Sequence, residues 1–125
     1  MKRFGFSIEL TSAEAVTLYK TLHRDVPQQI AGEHGVLKEI GLQRMSIYLL
    51  PPRTLFMQVE ANDEFDALRD FSRALSFHPA VQAWDDQMHG DNPLLKRIAG
   101  NQTELNWWRL EQVYDWSVDT AGQQK

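Results

Sequence analysis

Tyr19 and His23, four residues apart in a stretch of helical periodicity, are the pair in this chain whose types and spacing first suggest chemistry. Ala15, Leu18, Tyr19, Leu22 and Val26 recur at helical spacing and form one apolar stripe. His23 falls about 80° from the centre of that stripe at 100° per residue. It therefore sits at the edge of the buried face, one turn beyond Tyr19, because side chains at i and i+4 are neighbours. An imidazole at a half-buried rim can take up and give back a proton near neutral pH. The blander reading is a structural histidine at a helix edge.

Composition narrows what the rest of the chain can be. With 125 residues it is long enough to bury one core without staples, and 42% hydrophobic residues with four tryptophans fit a globular fold. There is no cysteine, hence no disulfide framework and no thiolate chemistry. The net charge is −4, and Lys and Arg are scattered with no basic stripe, which argues against a nucleic-acid partner. The start MKRFGFSIEL has two basic residues but no long apolar run or small-residue cleavage site, so it does not read as a signal peptide. No stretch approaches the roughly 18 apolar residues of a membrane span. These features predict a soluble cytoplasmic protein with no membrane partner. His34, His78 and His89 lack metal-ligand spacing, and no glycine-rich phosphate loop or serine-nucleophile motif occurs.

The elements that must position the pair follow from periodicity. Phe4, Phe6, Ile8 and Leu10 alternate over residues 3–10 and predict a strand. Thr11 with Glu14 three residues on has capping-box spacing for a helix to about Arg24. Pro27 suits the first turn of a second helix through Ile30, Leu37 and Ile40, which Gly32 and Gly35 weaken and Gly41 ends. Leu42–Leu50 and Thr54–Ala61 predict a hairpin about Pro51-Pro52-Arg53, with Leu55, Met57 and Val59 inward. Asn62 or Asp63 would cap a third helix presenting Phe65, Leu68, Phe71, Ser72 and Leu75. His78-Pro79 breaks it, and a fourth helix carries Val81, Trp84, Asp85 and Met88 on one side. A loop runs from Gly90 to about Thr103, with a helical turn near 94–98, and the last strand from Glu104 or Leu105 to Trp116.

This order predicts an α+β, ferredoxin-like βαββαβ sandwich with helices on one face of an antiparallel sheet. Residues 1–116 would form a single domain and 117–125 a flexible C-terminal tail. The last strand is apolar on both sides, with Trp107 and Val113 against Trp108, Leu110, Tyr114 and Trp116. Burial by a second chain, in a homodimer, is the natural cover for it.

With the elements placed, the sequence resembles the L-rhamnose mutarotase family. The matching pieces are the Tyr-x-x-x-His of Tyr19 to His23, Gly41 leading into Met45-Ser-Ile-Tyr48-Leu, and Leu55-Phe56 running into Val59-Glu60. Val81-Gln-Ala-Trp84 with Met88 and a closing Leu110-Glu-Gln-Val113-Tyr114 follow in order. The resemblance spans roughly residues 4 to 115 and implies a dimeric α+β barrel acting on a monosaccharide with no cofactor and no metal. It implies that His23 is the proton donor, that Tyr19 binds sugar, and that Trp84 is the first of two adjacent sugar-binding tryptophans. Three features depart from the family's pattern. Asp85 stands at the second tryptophan and Met45 at a sugar-binding tyrosine, and the Trp-Pro piece after the histidine is reduced to Val26-Pro27. The segment from His23 to Gly41 is longer than in the family, and an insertion follows Met88.

Mutarotation needs one group that donates a proton and one that accepts it. Asp85 lies on the Val81, Trp84 and Met88 side of its helix, where desolvation beside an indole would raise its pKa. It reads either as a base or hydroxyl acceptor in the substrate site, or as a carboxylate that reaches solvent at the helix edge. The expectation is a mutarotase for L-rhamnose or a related 6-deoxy hexose. The alternatives are a cofactor-free monooxygenase of the same dimeric barrel class, or a non-catalytic ligand-binding module.

Overall fold

The computed structural model of the protein is described for residues 1–98 and 106–121. Its elements run β1 (Lys2–Glu9), α1 (Ala13–Leu22), α2 (Gln28–Ala31), α3 (Val36–Glu39), β2 (Leu42–Leu50) and β3 (Thr54–Ala61). They continue with α4 (Ala67–Ala74), α5 (Pro79–His89), β4 (Trp108–Leu110) and α6 (Val118–Ala121). The fold is α+β: an open four-stranded antiparallel sheet in the order β2-β3-β1-β4, with helices. Placing β3 between β1 and β2 is the split βαβ connectivity expected from the element order.

Period-2 alternation decides which face of the sheet is buried. Phe6 and Ile8 of β1 pair with Met57 and Leu55 of β3, and Ile47 and Leu49 of β2 pair with the same two residues from the other side. These side chains and Val59 join one core with Tyr19, Ile30, Val36, Phe65, Val81, Met88 and Trp107. The hairpin of β2 and β3 has the predicted bounds, and its Pro51–Pro52 peptide is cis.

Local chemistry moved several boundaries. The cap of α1 is Ser12, whose Oγ accepts the Ala15 N–H at 3.0 Å. Thr11, expected in that role, instead donates its hydroxyl to the Leu94 carbonyl at 3.1 Å. The helix expected from Pro27 to Ile40 is two single turns. Gly35 packs so tightly that a Cβ there would lie 2.5 Å from the Ile30 carbonyl oxygen, which breaks the helix between them. Gly41 ends α3 at φ +101°, the left-handed position that glycine fills without a Cβ penalty. The cap of α4 is Asp66, not Asn62 or Asp63, because Phe65 is buried ahead of the helix and a turn over 62–65 must set it there. His78 caps α5 through Nδ1, which accepts the Ala80 N–H at 3.0 Å, and Pro79 takes the first helical position.

The helical turn expected near 94–98 does not form. Leu95 makes an isolated bridge with Leu10, and the Lys96 N–H bonds the Glu9 carbonyl at 2.9 Å, so the backbone here extends along the end of β1. The last strand is much shorter than expected. Only Trp108–Leu110 pairs with β1; beyond it the chain lifts off the sheet over a cavity of about 480 Å³ and is tied back by Asp115 to Arg3 at 3.2 Å. An edge segment is held on one side only, and here Val113 and Tyr114 are 87% and 75% exposed, with no neighbouring strand to pack on. The expected start of that strand at Glu104 or Leu105, the end of the preceding loop near Thr103, and the final residues 122–125 lie outside the described residues. Ser117 and the turn α6 are described, in the stretch expected as a tail.

Helix α4 carries a buried charge. Asp70 is 1% exposed and accepts hydrogen bonds from the Asp66 backbone N–H (2.9 Å), Arg73 Nε (2.7 Å) and both Nε and an amino group of Arg69 (3.1 and 2.9 Å). The Arg69 hydrogen bond, opposed by burial and seconded by Arg73, holds its carboxyl far below the usual carboxylate range. Asp70→Ala is expected to cost about 2 kcal/mol in urea unfolding, the scale for losing hydrogen bonds to a charged group. Because the folded pKa is depressed, this stabilisation is complete above the unfolded value of about 3.9 and is lost as pH falls below it. Acid titration of the wild type and variant should therefore converge at low pH, and parallel curves would remove the assignment.

Candidate active site

The C-terminus of α1 delivers Tyr19 and His23. His23 is the helix C-cap, with its backbone N–H on the Tyr19 carbonyl at 3.2 Å. The ring folds back to the same carbonyl, Nδ1 to oxygen at 2.8 Å. A carbonyl oxygen only accepts, so Nδ1 carries the proton, and in the neutral ring Nε2 is left bare as an acceptor. The imidazole lies 4.2 Å from the Tyr19 ring and 5.1 Å from the Trp84 ring of α5, edge to face at 75°. The ring is clamped.

Burial pushes His23 below the ordinary imidazole value, against the smaller upward pull of the Tyr19 carbonyl bond. Tyr19 is 6% exposed, and burial drives its phenol well above the ordinary range, so it is a neutral hydroxyl at any working pH. Asp85 is half-buried and raised, chiefly by desolvation, with His89 lowering it and Asp86 adding a smaller push upward.

Tyr19, His23, Trp84 and Asp85, the four residues singled out from sequence, line one cavity of about 770 Å³. Its floor is Met45, Ile47 and Met57 of the sheet. Leu68, Phe71, Ser72 and Leu75 of α4, the face predicted for that helix, form a wall of it; the residues that α4 buries fully are Ala67, Asp70 and Ala74. Val26, Ile30 and Leu37 close another side. A mostly apolar concavity with a few convergent polar groups is the usual form of a small-molecule site.

A family model described as L-rhamnose mutarotase matches residues 3–116. The chain belongs to the L-rhamnose mutarotase family. A UPF0734 protein of Dictyostelium discoideum is 30% identical over 115 residues, covering 91% of this chain and 89% of that protein. The family is one of isomerase-type enzymes with a sugar substrate, and no helix among the described residues is long and apolar enough to cross a membrane.

Two cavity residues of this L-rhamnose mutarotase family member escaped sequence reasoning. His89 lies four residues after Asp85 on α5, the same spacing that drew attention to Tyr19 and His23. Its lack of metal-ligand spacing said nothing about proton transfer. Trp107 was assigned to the last strand, yet it precedes β4 and is buried in the cavity wall; Asn106, at φ 61°, turns the chain to put it there. No periodic signal marks a turn of that kind.

The burial of His23 has a measurable consequence. Its ring should titrate by proton NMR below about 6.5, the ordinary imidazole value. Trp84→Ala removes part of the cover and should move the midpoint back up. A wild-type midpoint at or above the ordinary value would contradict this account of the site.

Proposed function

We propose that this protein is a cytoplasmic homodimeric mutarotase that interconverts the α and β anomers of L-rhamnose or a related 6-deoxy hexose by acid–base ring opening. The observation that carries the reading is a set of polar atoms bordering one apolar cavity with no hydrogen bond to a described residue. Among the described residues, nothing hydrogen-bonds the Tyr19 hydroxyl, His23 Nε2, the Trp84 indole N–H or the Asp85 carboxylate. Half-buried polar groups in that condition are matched by the hydroxyls of a ligand. The apolar remainder suits a sugar that carries a methyl group in place of one hydroxyl.

In this reading His23 gives a proton to the ring oxygen O5 while the anomeric hydroxyl loses its own. The C1–O5 bond breaks, its electron pair stays on O5, and the anomeric oxygen becomes a carbonyl. A half-turn about C1–C2 and the reverse proton movements close the ring on the other face of C1. Tyr19 donates a hydrogen bond to a sugar hydroxyl and buttresses the imidazole. Trp84 lies against the sugar's apolar face, and Asp85 accepts from hydroxyls.

Support for the dimer comes from the sheet face away from the helices. Tyr48, Leu50, Phe56, Trp108 and Leu110 are exposed there and together form an apolar patch of the kind that marks an interaction surface. A second copy of the chain would bury it and would meet the lifted segment after β4.

His23→Ala should lower anomer exchange, read by saturation-transfer NMR over a panel of monosaccharides, at least about a hundredfold, the low end for a positioned acid–base group. Full exchange in a folded His23→Ala protein would remove the histidine from the mechanism. Sedimentation at micromolar concentration should give a dimer; an active monomer would sink that part.

A further inference from the structure

The clamp on His23 sets a problem for its chemistry. Nδ1 is tied to the Tyr19 carbonyl and the ring is wedged against Trp84, so Nε2 has one position. The ring oxygen of the sugar keeps its place when an anomer inverts, but the anomeric oxygen O1 does not. A single fixed nitrogen can serve O5 in both directions. O1 needs another group.

Two candidates border the cavity together. Asp85 and His89 are one turn apart on α5 and so are neighbours on its surface. His89 is five residues beyond Trp84, which places it about 7.5 Å further along the helix axis from the indole that touches His23. Neither the Asp85 carboxylate nor the His89 ring hydrogen-bonds another described residue. The remaining described lining, from α2, α3, the sheet, α4, Leu95 and residues 106–107, carries no ionisable side chain. The titratable groups of the site are therefore Tyr19 and His23 from α1 and Asp85 and His89 from α5, with Asp86 acting on Asp85 from the same helix.

We propose that His89, with Asp85 as its charged neighbour, is the second proton-transfer group of this cavity and serves the anomeric hydroxyl while His23 serves the ring oxygen. The proposal rests on the mutarotase reading above. On opening, protonated His23 gives its proton to O5, the C1–O5 bond breaks, and neutral His89 takes the proton of O1–H as C1=O forms. On closing, O5 returns its proton to His23 as it attacks C1, and His89, whose ring no hydrogen bond to a described residue holds, follows O1 to its new position and returns its own proton there. The two imidazoles thus hold one proton between them throughout, and the cycle restores itself with no other reactant.

The environments of the two imidazoles differ. Burial lowers the proton affinity of His89, and the charge of Asp85 raises it. Among the described residues no charged group shifts His23, and burial lowers it too. Exchange should then follow a bell in pH: the alkaline limb is loss of the single proton, the acid limb is entry of a second, and both belong to the coupled pair.

The test uses the full chain, with anomer exchange by saturation-transfer NMR on L-rhamnose and L-fucose as a function of pH, and the imidazole titrations by proton NMR without sugar. His89→Gln should lower exchange at saturating sugar about a hundredfold with little change in KM. Its acid limb should retreat toward the carboxylate range, where only Asp85 still titrates. Asp85→Asn removes the anion that favours imidazolium, so the His89 titration and both limbs should shift to lower pH. Exchange lost in His23→Ala but retained in His89→Gln with an unmoved acid limb overturns the proposal and leaves the mutarotase reading standing. No exchange in the wild type overturns both. An unmoved His89 titration in Asp85→Asn overturns the pairing even if His89→Gln fails to fold.

Discussion

The hydrogen bond from His23 Nδ1 to the Tyr19 carbonyl is where the fold and the chemistry of this protein meet. It adds a second hydrogen bond to a carbonyl that already accepts the His23 backbone N–H near the end of the helix, and it fixes the tautomer of the ring in the same stroke. The partial negative charge of the helix end would favour a charged imidazole, and so does the bond itself. Burial between Tyr19 and Trp84 outweighs both, and the ring is held below its ordinary proton affinity.

That clamp requires α1 and α5 to stay in register across the cavity, which the sheet side provides. Helix α4 settles into the fold on Ala67, Asp70 and Ala74, two small residues and one fully bonded carboxylate. Its larger apolar side chains, Leu68, Phe71 and Leu75, are thereby left for the cavity wall. Of its predicted apolar stripe, Phe65 lies ahead of the helix in the core, while Leu68, Phe71, Ser72 and Leu75 line the cavity. The buried position of Asp70 was invisible to hydrophobic periodicity, because the two arginines that make it tolerable, one residue before it and three after, cover it themselves.

Elements with strong two-residue or helical periodicity were legible in the sequence, and those shaped by single hydrogen bonds were not. The β2–β3 hairpin alternates cleanly and emerged with its bounds unchanged. Thr11 and Ser12 are equally good caps in isolation; only the approach of residues 93–94 to Thr11 decides between them. The last strand failed for a different reason, since its apolar residues promised pairing that one chain cannot supply beyond Leu110. Tyr19 and His23 were singled out by helical spacing, Trp84 by the family resemblance and Asp85 by its helix face at the family's second tryptophan, and all four border one cavity. His89 satisfied the spacing rule equally well and was passed over when the only question asked of it concerned metals.

Two of the departures from the family's pattern at the cavity have a common sense on the proposed reading. The resemblance implies a hydrogen-bonding tyrosine on the strand where Met45 stands and a second tryptophan on the helix where Asp85 stands. Both positions border the same cavity here. Exchanging them removes a hydroxyl from the sheet floor and adds a carboxylate to the α5 wall, next to an imidazole. The polar partners of a bound sugar would then gather between α1 and α5, and its methyl-bearing edge would rest on Met45, Ile47 and Met57. A carboxylate in so apolar a setting costs stability unless something pairs with it. On the proposed reading the nearby His89 offsets part of that cost, and a ligand whose hydroxyls, and whose reacting oxygen, arrive at that wall supplies the hydrogen bonds that no described residue gives the carboxylate.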